Sequence, residues 1–157
     1  MVSSGPKIDP QKLPDKVGPV VDKAVSRVPG NEVPRPNLER PIGSGMDGSV
    51  YEVEGDPNRV IKLFKLNHQV QLELENLARG RIAEGFGAEN VVKVIQRGEG
   101  FLVKEKITTV QPNDAQLKEG VEFFKALDKA GVKDFRSRNV MFGFTDSNRN
   151  PRWILIE

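Results

Sequence analysis

Three glycines in six residues, Gly43, Gly45 and Gly48, lie between two stretches that alternate as β-strands do, Arg40 to Ile42 and Ser49 to Glu54. Glycine at that density disfavours helix and weakens a continuous strand, so the segment reads as a hairpin with a permissive tip. From Gly43 to Val50 it spells Gly-x-Gly-x-x-Gly-x-Val. Without side chains at 43, 45 and 48, backbone N–H groups near Ser44 can face a polyphosphate without collision. The motif alone serves equally as a flexible hairpin. A dinucleotide site is disfavoured, because its glycines open a helix with an acid about 20 residues on. Here Ser49-Val50-Tyr51-Glu52-Val53 continues as a strand instead.

The rest of the chain sorts around this hairpin. Eight of the eleven prolines fall in the first 41 residues, so residues 1–37 read as an arm or linker. Inside it, Val20, Val21, Ala24, Val25 and Val28 recur at helical spacing between Pro19 and Pro29, which predicts a short helix. After the hairpin, Gly55-Asp56-Pro57-Asn58 predicts a turn and Arg59 to Lys65 a third strand. Asn67 is placed to cap a helix from His68 to about Glu84, with Val70, Leu74, Leu77 and Arg81 on one face. Val91 to Gln96 and Phe101 to Ile107 predict a second hairpin, completing residues 38–107. In residues 108–157, Asn113 and Gln116 spell a capping box for a helix carrying Leu117, Val121, Phe124 and Leu127, stopped by Gly131. Val140 to Phe144 and Trp153 to Ile156 close the chain as a short strand pair. The predicted class is α+β.

Composition excludes several chemistries. There is no cysteine and one histidine, which removes disulfides, thiol catalysis and the usual zinc or Ser-His-Asp machinery. The 24 basic and 22 acidic residues are interspersed, which argues against a nucleic-acid-binding stripe. No apolar run approaches the roughly 18 residues of a membrane span, and the N-terminus lacks a signal-peptide core.

Two further groups carry chemistry. Lys62, fourteen residues after Gly48, sits in Val60-Ile61-Lys62-Leu63-Phe64, where alternation sets it opposite Ile61 and Leu63. Taken alone it would serve as well as a solvated edge lysine. Asp134 and Asn139 place an acid and an amide five residues apart after a helix. A glycine loop, a strand lysine and an Asp/Asn pair, in that order, resemble the parts of a protein kinase. The chain resembles a minimal member of the protein kinase-like family, nearest in economy to secreted bacterial effector kinases and kinase-type toxin domains. The likeness covers roughly residues 38–157.

That resemblance implies a five-stranded antiparallel N-lobe with one helix, then a truncated C-lobe of one long helix, a catalytic loop and a short hairpin. It implies ATP and Mg²⁺ as cofactors. Gly43, Ser44, Gly45, Gly48 and Val50 would cover the nucleotide, and Lys62 would pair its phosphates. A helix glutamate would hold Lys62, with Glu73 favoured over Glu75 by its apolar neighbours. Backbone groups near Glu105 and Ile107 would meet the adenine edge. Asp134 would accept the acceptor's hydroxyl proton and Arg136 would steady the transferred phosphate. Asn139 would hold metal, and Glu157 would stand where the family has its second metal-binding acid. The sequence departs from the family at Val132, which replaces a histidine, and at Lys104, where an apolar residue is usual.

The implied activity is phosphorylation of a hydroxyl on a target protein, as a secreted or injected effector or toxin acting in a target-cell cytoplasm, with an immunity protein or chaperone as a further partner. The alternative to secretion is a cytoplasmic location, and the alternative to the enzyme is a catalytically weak or dead, pseudokinase-like nucleotide-binding interaction module. A small-molecule kinase is disfavoured, because the chain lacks the large lobe that builds such pockets.

Overall fold

A computed structural model of the chain describes residues 33–133 and 139–157. The helix expected in the proline-rich arm lies outside them, as do Asp134 and Arg136. Among the described residues the protein is α+β, and it divides into two compact units. The first comprises the described chain up to Gln71 together with Val94–Lys106; the second comprises Leu72–Lys93 and Ile107–Glu157.

The first unit is an antiparallel sheet built from β1 (Pro36–Ser44), β2 (Gly48–Val53), β3 (Asp56–Phe64), β4 (Val94–Gly98) and β5 (Phe101–Glu105). Its strand order is β1-β2-β3-β5-β4. Pro36 and Pro41 sit in the edge strand β1, where a missing N–H is tolerated, and the register slips on either side of Pro41. Asp56 and Pro57 start β3 rather than forming the expected turn, which contracts to Glu54 and Gly55. Pro57 costs no bond to β5, since that pairing begins only at Arg59↔Glu105.

The middle of β3 is buried on both faces from Val60 to Phe64. One face carries Ile61 and Leu63, which join Val53, Phe101 and Val103 in a continuous apolar cluster flanked by Val33, Tyr51 and Ile95. The opposite face carries Val60, Lys62 and Phe64, with Val50 and Leu102 directly across from Lys62. Strand alternation therefore separates an apolar core face from a face bearing a buried lysine.

On the rim of this sheet, Glu52 accepts from Lys106 Nζ at 2.7 Å and faces Arg40 Nε at 3.5 Å. The Lys106 hydrogen bond, helped by the charges of Lys106 and Arg40 and opposed by burial, holds the Glu52 carboxyl below its ordinary value of 4.5. A lowered carboxylate pKa contributes stability above the unfolded value, and that stability is lost as pH falls through the folded one. Glu52→Gln is accordingly expected to melt below wild type at pH 7. The gap between the two melting temperatures should close as pH drops below 4.5, as thermal unfolding at stepped pH will report.

Helix α1 (His68–Gly80) leads from the first unit into the second. Its buried residues are Val70, Glu73, Leu77 and Gly80, while His68 and Arg81 are exposed. The expected run to Glu84 is cut short. A Cβ on Gly80 would meet Leu155 Cδ2 at 2.6 Å, and beyond it the chain tightens through Ile82 N→Arg79 O and Ala83 N→Gly80 O bonds, both 3.2 Å. Asn67 does not act as the expected side-chain cap. Its Oδ1 accepts from Gly100 N at 3.0 Å, and Gln69 Oε1 takes Leu66 N at 2.9 Å instead.

The second unit contains α2 (Asp114–Lys129) and a three-stranded sheet of β6 (Thr108–Thr109), β7 (Val140–Phe144) and β8 (Arg152–Leu155). The capping box forms: Gln116 N donates to Asn113 Oδ1 at 2.8 Å and Asn113 N to Gln116 Oε1 at 2.9 Å. Gly131, at φ 85°, ends the helix in the left-handed conformation glycine permits, and Val132 N bonds back to Leu127 O at 3.0 Å. The buried face of α2 is Gly120, Phe123, Ala126 and Leu127. Leu117 and Val121, expected on the apolar face, are exposed. The helix is turned because Gly120 admits the Trp153 indole, whose ring a Cβ there would meet at 2.6 Å. Trp153 Nε1 then donates to Gln116 O at 2.7 Å, and its ring stands edge-on to Phe142.

Candidate functional site

In the first unit the glycine hairpin is tighter than its motif suggests. Gly43 and Ser44 belong to β1, paired with Val50 and Ser49, and Gly48 opens β2. Only residues 45–47 lie outside the strands, and Gly45 N closes them with a 2.8 Å bond to Gly48 O. The three glycines have different reasons to be glycine. A Cβ on Gly48 would strike the Leu63 carbonyl of β3, whereas Gly43 has open space around it and Gly45 meets only Asp47 Oδ1 at 3.8 Å. Gly48 is therefore required by strand pairing, whereas a Cβ on Gly43 or Gly45 would meet no close obstacle among the described residues. Gly48→Ala should cost about 1–3 kcal/mol in urea unfolding, as overpacking does. Gly43→Ala and Gly45→Ala should stay within about 0.5 kcal/mol of wild type. Any loss of ligand affinity in those two then reports backbone approach by the ligand.

Lys62 stands on the strand behind this hairpin, its side chain 3% exposed. Its Nζ donates to Asp47 Oδ2 at 3.2 Å and lies 4.9 Å from the centroid of the Phe64 ring. A buried ammonium is tolerated only with such partners, because losing water without replacement costs several kcal/mol. Asp47 was not singled out in the sequence, although it is the one acid within the Gly43–Val50 run. Lys104, paired with Val60, lies on the same sheet face as Lys62 and is also buried. Glu105 ends β5 opposite Arg59, and the next N–H, of Lys106, is taken by Asn58 O at 2.9 Å. Ile107 is half-buried in the second unit.

In the second unit, β7 and β8 pair as a hairpin with Val140 opposite Leu155. The bond Ile156 N→Asn139 O, 2.8 Å, extends that ladder, so Asn139 and Glu157 come to the same end of the hairpin. Asn139 is buried. Glu73 of α1 is buried too, and carboxylate oxygens of Glu73 and Glu157 lie within 4.8 Å of one another. Glu75 is exposed, so burial separates the two helix glutamates that the sequence leaves open. The donors here are an amide oxygen and carboxylates, the oxygen-only chemistry that suits a hard cation such as Mg²⁺ rather than zinc or copper.

Asn76, one turn on from Glu73, is a contributor the sequence did not announce. Its amide takes Lys133 on both sides, accepting from Lys133 N at 2.7 Å and donating to Lys133 O at 3.0 Å. The same Nδ2 lies 3.5 Å from Glu157 O. An asparagine in mid-helix carries no periodic signal, so this clamp is visible only once the segments meet. It fixes the residue immediately before Asp134.

No helix among the described residues is long and apolar enough to cross a membrane. Comparison of the chain with known protein families and with curated proteins finds no match.

Proposed function

We propose that this chain is an ATP- and Mg²⁺-dependent phosphotransferase of the protein kinase-like type, acting on a hydroxyl of a target protein. The observation that carries the reading is Lys62. Its ammonium is buried in the central strand, directly across from Val50 of the glycine hairpin, on the face away from the apolar cluster. A core needs no charge there, whereas phosphate binding does. The element order supports the same reading: three strands, a helix and two strands follow one another along the chain in the order the resemblance implies for a small lobe.

In this reading the glycine hairpin and Lys62 hold the donor. Asp134 takes the proton of the acceptor hydroxyl as its oxygen attacks the γ-phosphorus. The bond from that phosphorus to the β,γ-bridging oxygen breaks, and ADP leaves with the electron pair. Arg136 steadies the transferred group. Asn139 and Glu157 would hold Mg²⁺, which would supply neutralisation of phosphate charge when bound. Catalysis is positioning and electrostatics, with no covalent intermediate. The absence of cysteine and the proline-crowded start support a module that unfolds for export and refolds unaided, in keeping with a bacterial effector or toxin partnered by a chaperone or immunity protein.

One observation favours a second reading. Lys104 is 5% exposed on the Lys62 face, where the resemblance calls for an apolar neighbour of adenine. A silent nucleotide-binding platform would tolerate that. Incubation with γ-labelled ATP and Mg²⁺, alone and with cell lysate, beside Asp134→Ala, separates the two. Label transfer that is lost in a folded Asp134→Ala variant supports the enzyme. Thermal stabilisation by ATP without transfer supports the platform, and no response to ATP rejects both.

A further inference from the structure

Asp47 has a place in the fold that the phosphotransferase reading does not use. Its backbone carbonyl accepts from Lys65 N at 2.9 Å, which ties the hairpin tip down onto the end of β3. Its carboxylate then reaches Lys62 Nζ at 3.2 Å. The lysine side of this pair is 3% exposed and the aspartate side 38%, so the carboxylate is the partner open to water. An anion on the motif's own glycine run is therefore already seated on the cation assigned to the ligand's phosphate.

We propose that Asp47 is a built-in competitor for the Lys62 ammonium, and that a polyphosphate ligand binds by displacing its carboxylate. The proposal rests on the reading of Lys62 as a phosphate-binding residue and deepens it. Three features make the displacement easy. The Nζ–Oδ2 separation of 3.2 Å is longer than the 2.7–2.9 Å of strong charge-assisted bonds, so the contact is a weak one of its kind. A phosphate with more than one negative charge outbids a single carboxylate for the same ammonium. The movement required is rotation of one side chain, since the Lys65 N–Asp47 O bond and the Gly45–Gly48 closure are backbone bonds that remain. Asp47 thereby sets a threshold: singly charged anions gain nothing by exchange, and polyphosphates do.

The test is calorimetric titration of the full chain with ATP·Mg²⁺ and with tripolyphosphate. The proteins compared are wild type, Asp47→Ala, Asp47→Asn and the same changes combined with Lys62→Met. Removing the competitor should tighten both ligands by about tenfold, equivalent to about 1.4 kcal/mol. That gain should vanish when Lys62 is methionine. Wild type that binds, with Asp47 variants that bind no tighter or more weakly, overturns the competitor and leaves the phosphotransferase reading standing. A gain that persists with Lys62→Met also overturns it, because loosening of the hairpin would then be the cause. Absence of binding by wild type and Asp47→Ala alike removes both readings together.

Discussion

Replacing Lys62 with methionine is expected to leave the protein folded and to reduce the proposed phosphoryl transfer by about 10²–10³-fold, the usual cost of losing one preorganised charge donor. The two effects part company because of where the lysine sits. Methionine fills nearly the same volume on a face shared with Val50, Phe64 and Leu102, so packing is kept. Removing one member of a buried pair costs about 3–5 kcal/mol when the abandoned charge stays dry, and less when water can reach it. Asp47 is left behind, yet at 38% exposure it can be hydrated. Thermal melts and transfer rates on one preparation check both halves. A variant that unfolds would mean the ammonium is a structural group. A folded variant with full activity would remove Lys62 from the site.

Phe101→Ala should destabilise the protein by about 3–5 kcal/mol, the range for emptying a buried aromatic position. With whole domains stable by only about 5–15 kcal/mol, that is a large share of the total. The fall in melting temperature should be on the order of 10–20 °C. Phe101 is 1% exposed, pairs with Leu63 across β3 and lies within the Val53, Ile61, Leu63 and Val103 cluster. Its ring also covers Gly98, where an added Cβ would collide with it. The site cannot collapse easily, because the surrounding positions are held by sheet hydrogen bonds. Leu117→Ala is the matching control: at 46% exposure it should change stability by less than about 0.5 kcal/mol. Denaturant unfolding of the two variants measures the contrast.

What could be read early was what depends on neighbours in the chain. The glycine hairpin, the alternation that sets Lys62 opposite Ile61 and Leu63, the Asn113–Gln116 capping box and the Gly131 stop all rest on contacts within a few residues. Each appears in the fold as the local pattern implies. Where the local pattern failed, a distant residue had intervened. Leu155 packs against Gly80 at the end of α1, and the Trp153 indole against Gly120 turns α2 so that Leu117 and Val121 face outward. Asn67 leaves its cap for Gly100.

The candidate site divides along the same line. The residue types able to meet a polyphosphate and a hard cation were legible from composition and spacing. Their roles were not. Periodicity says which way a side chain points, but not which distant backbone it will meet. Gly48 proved to be a glycine for the sake of the Leu63 carbonyl, Asp47 a partner for Lys62, and Asn76 a clamp on Lys133 fifty-seven residues away. The order of strands and helices follows from local propensity, which each segment carries with it. Which charge is buried, and against whom, is decided only when the sheet closes, because desolvation and ion pairing depend on groups that approach through space.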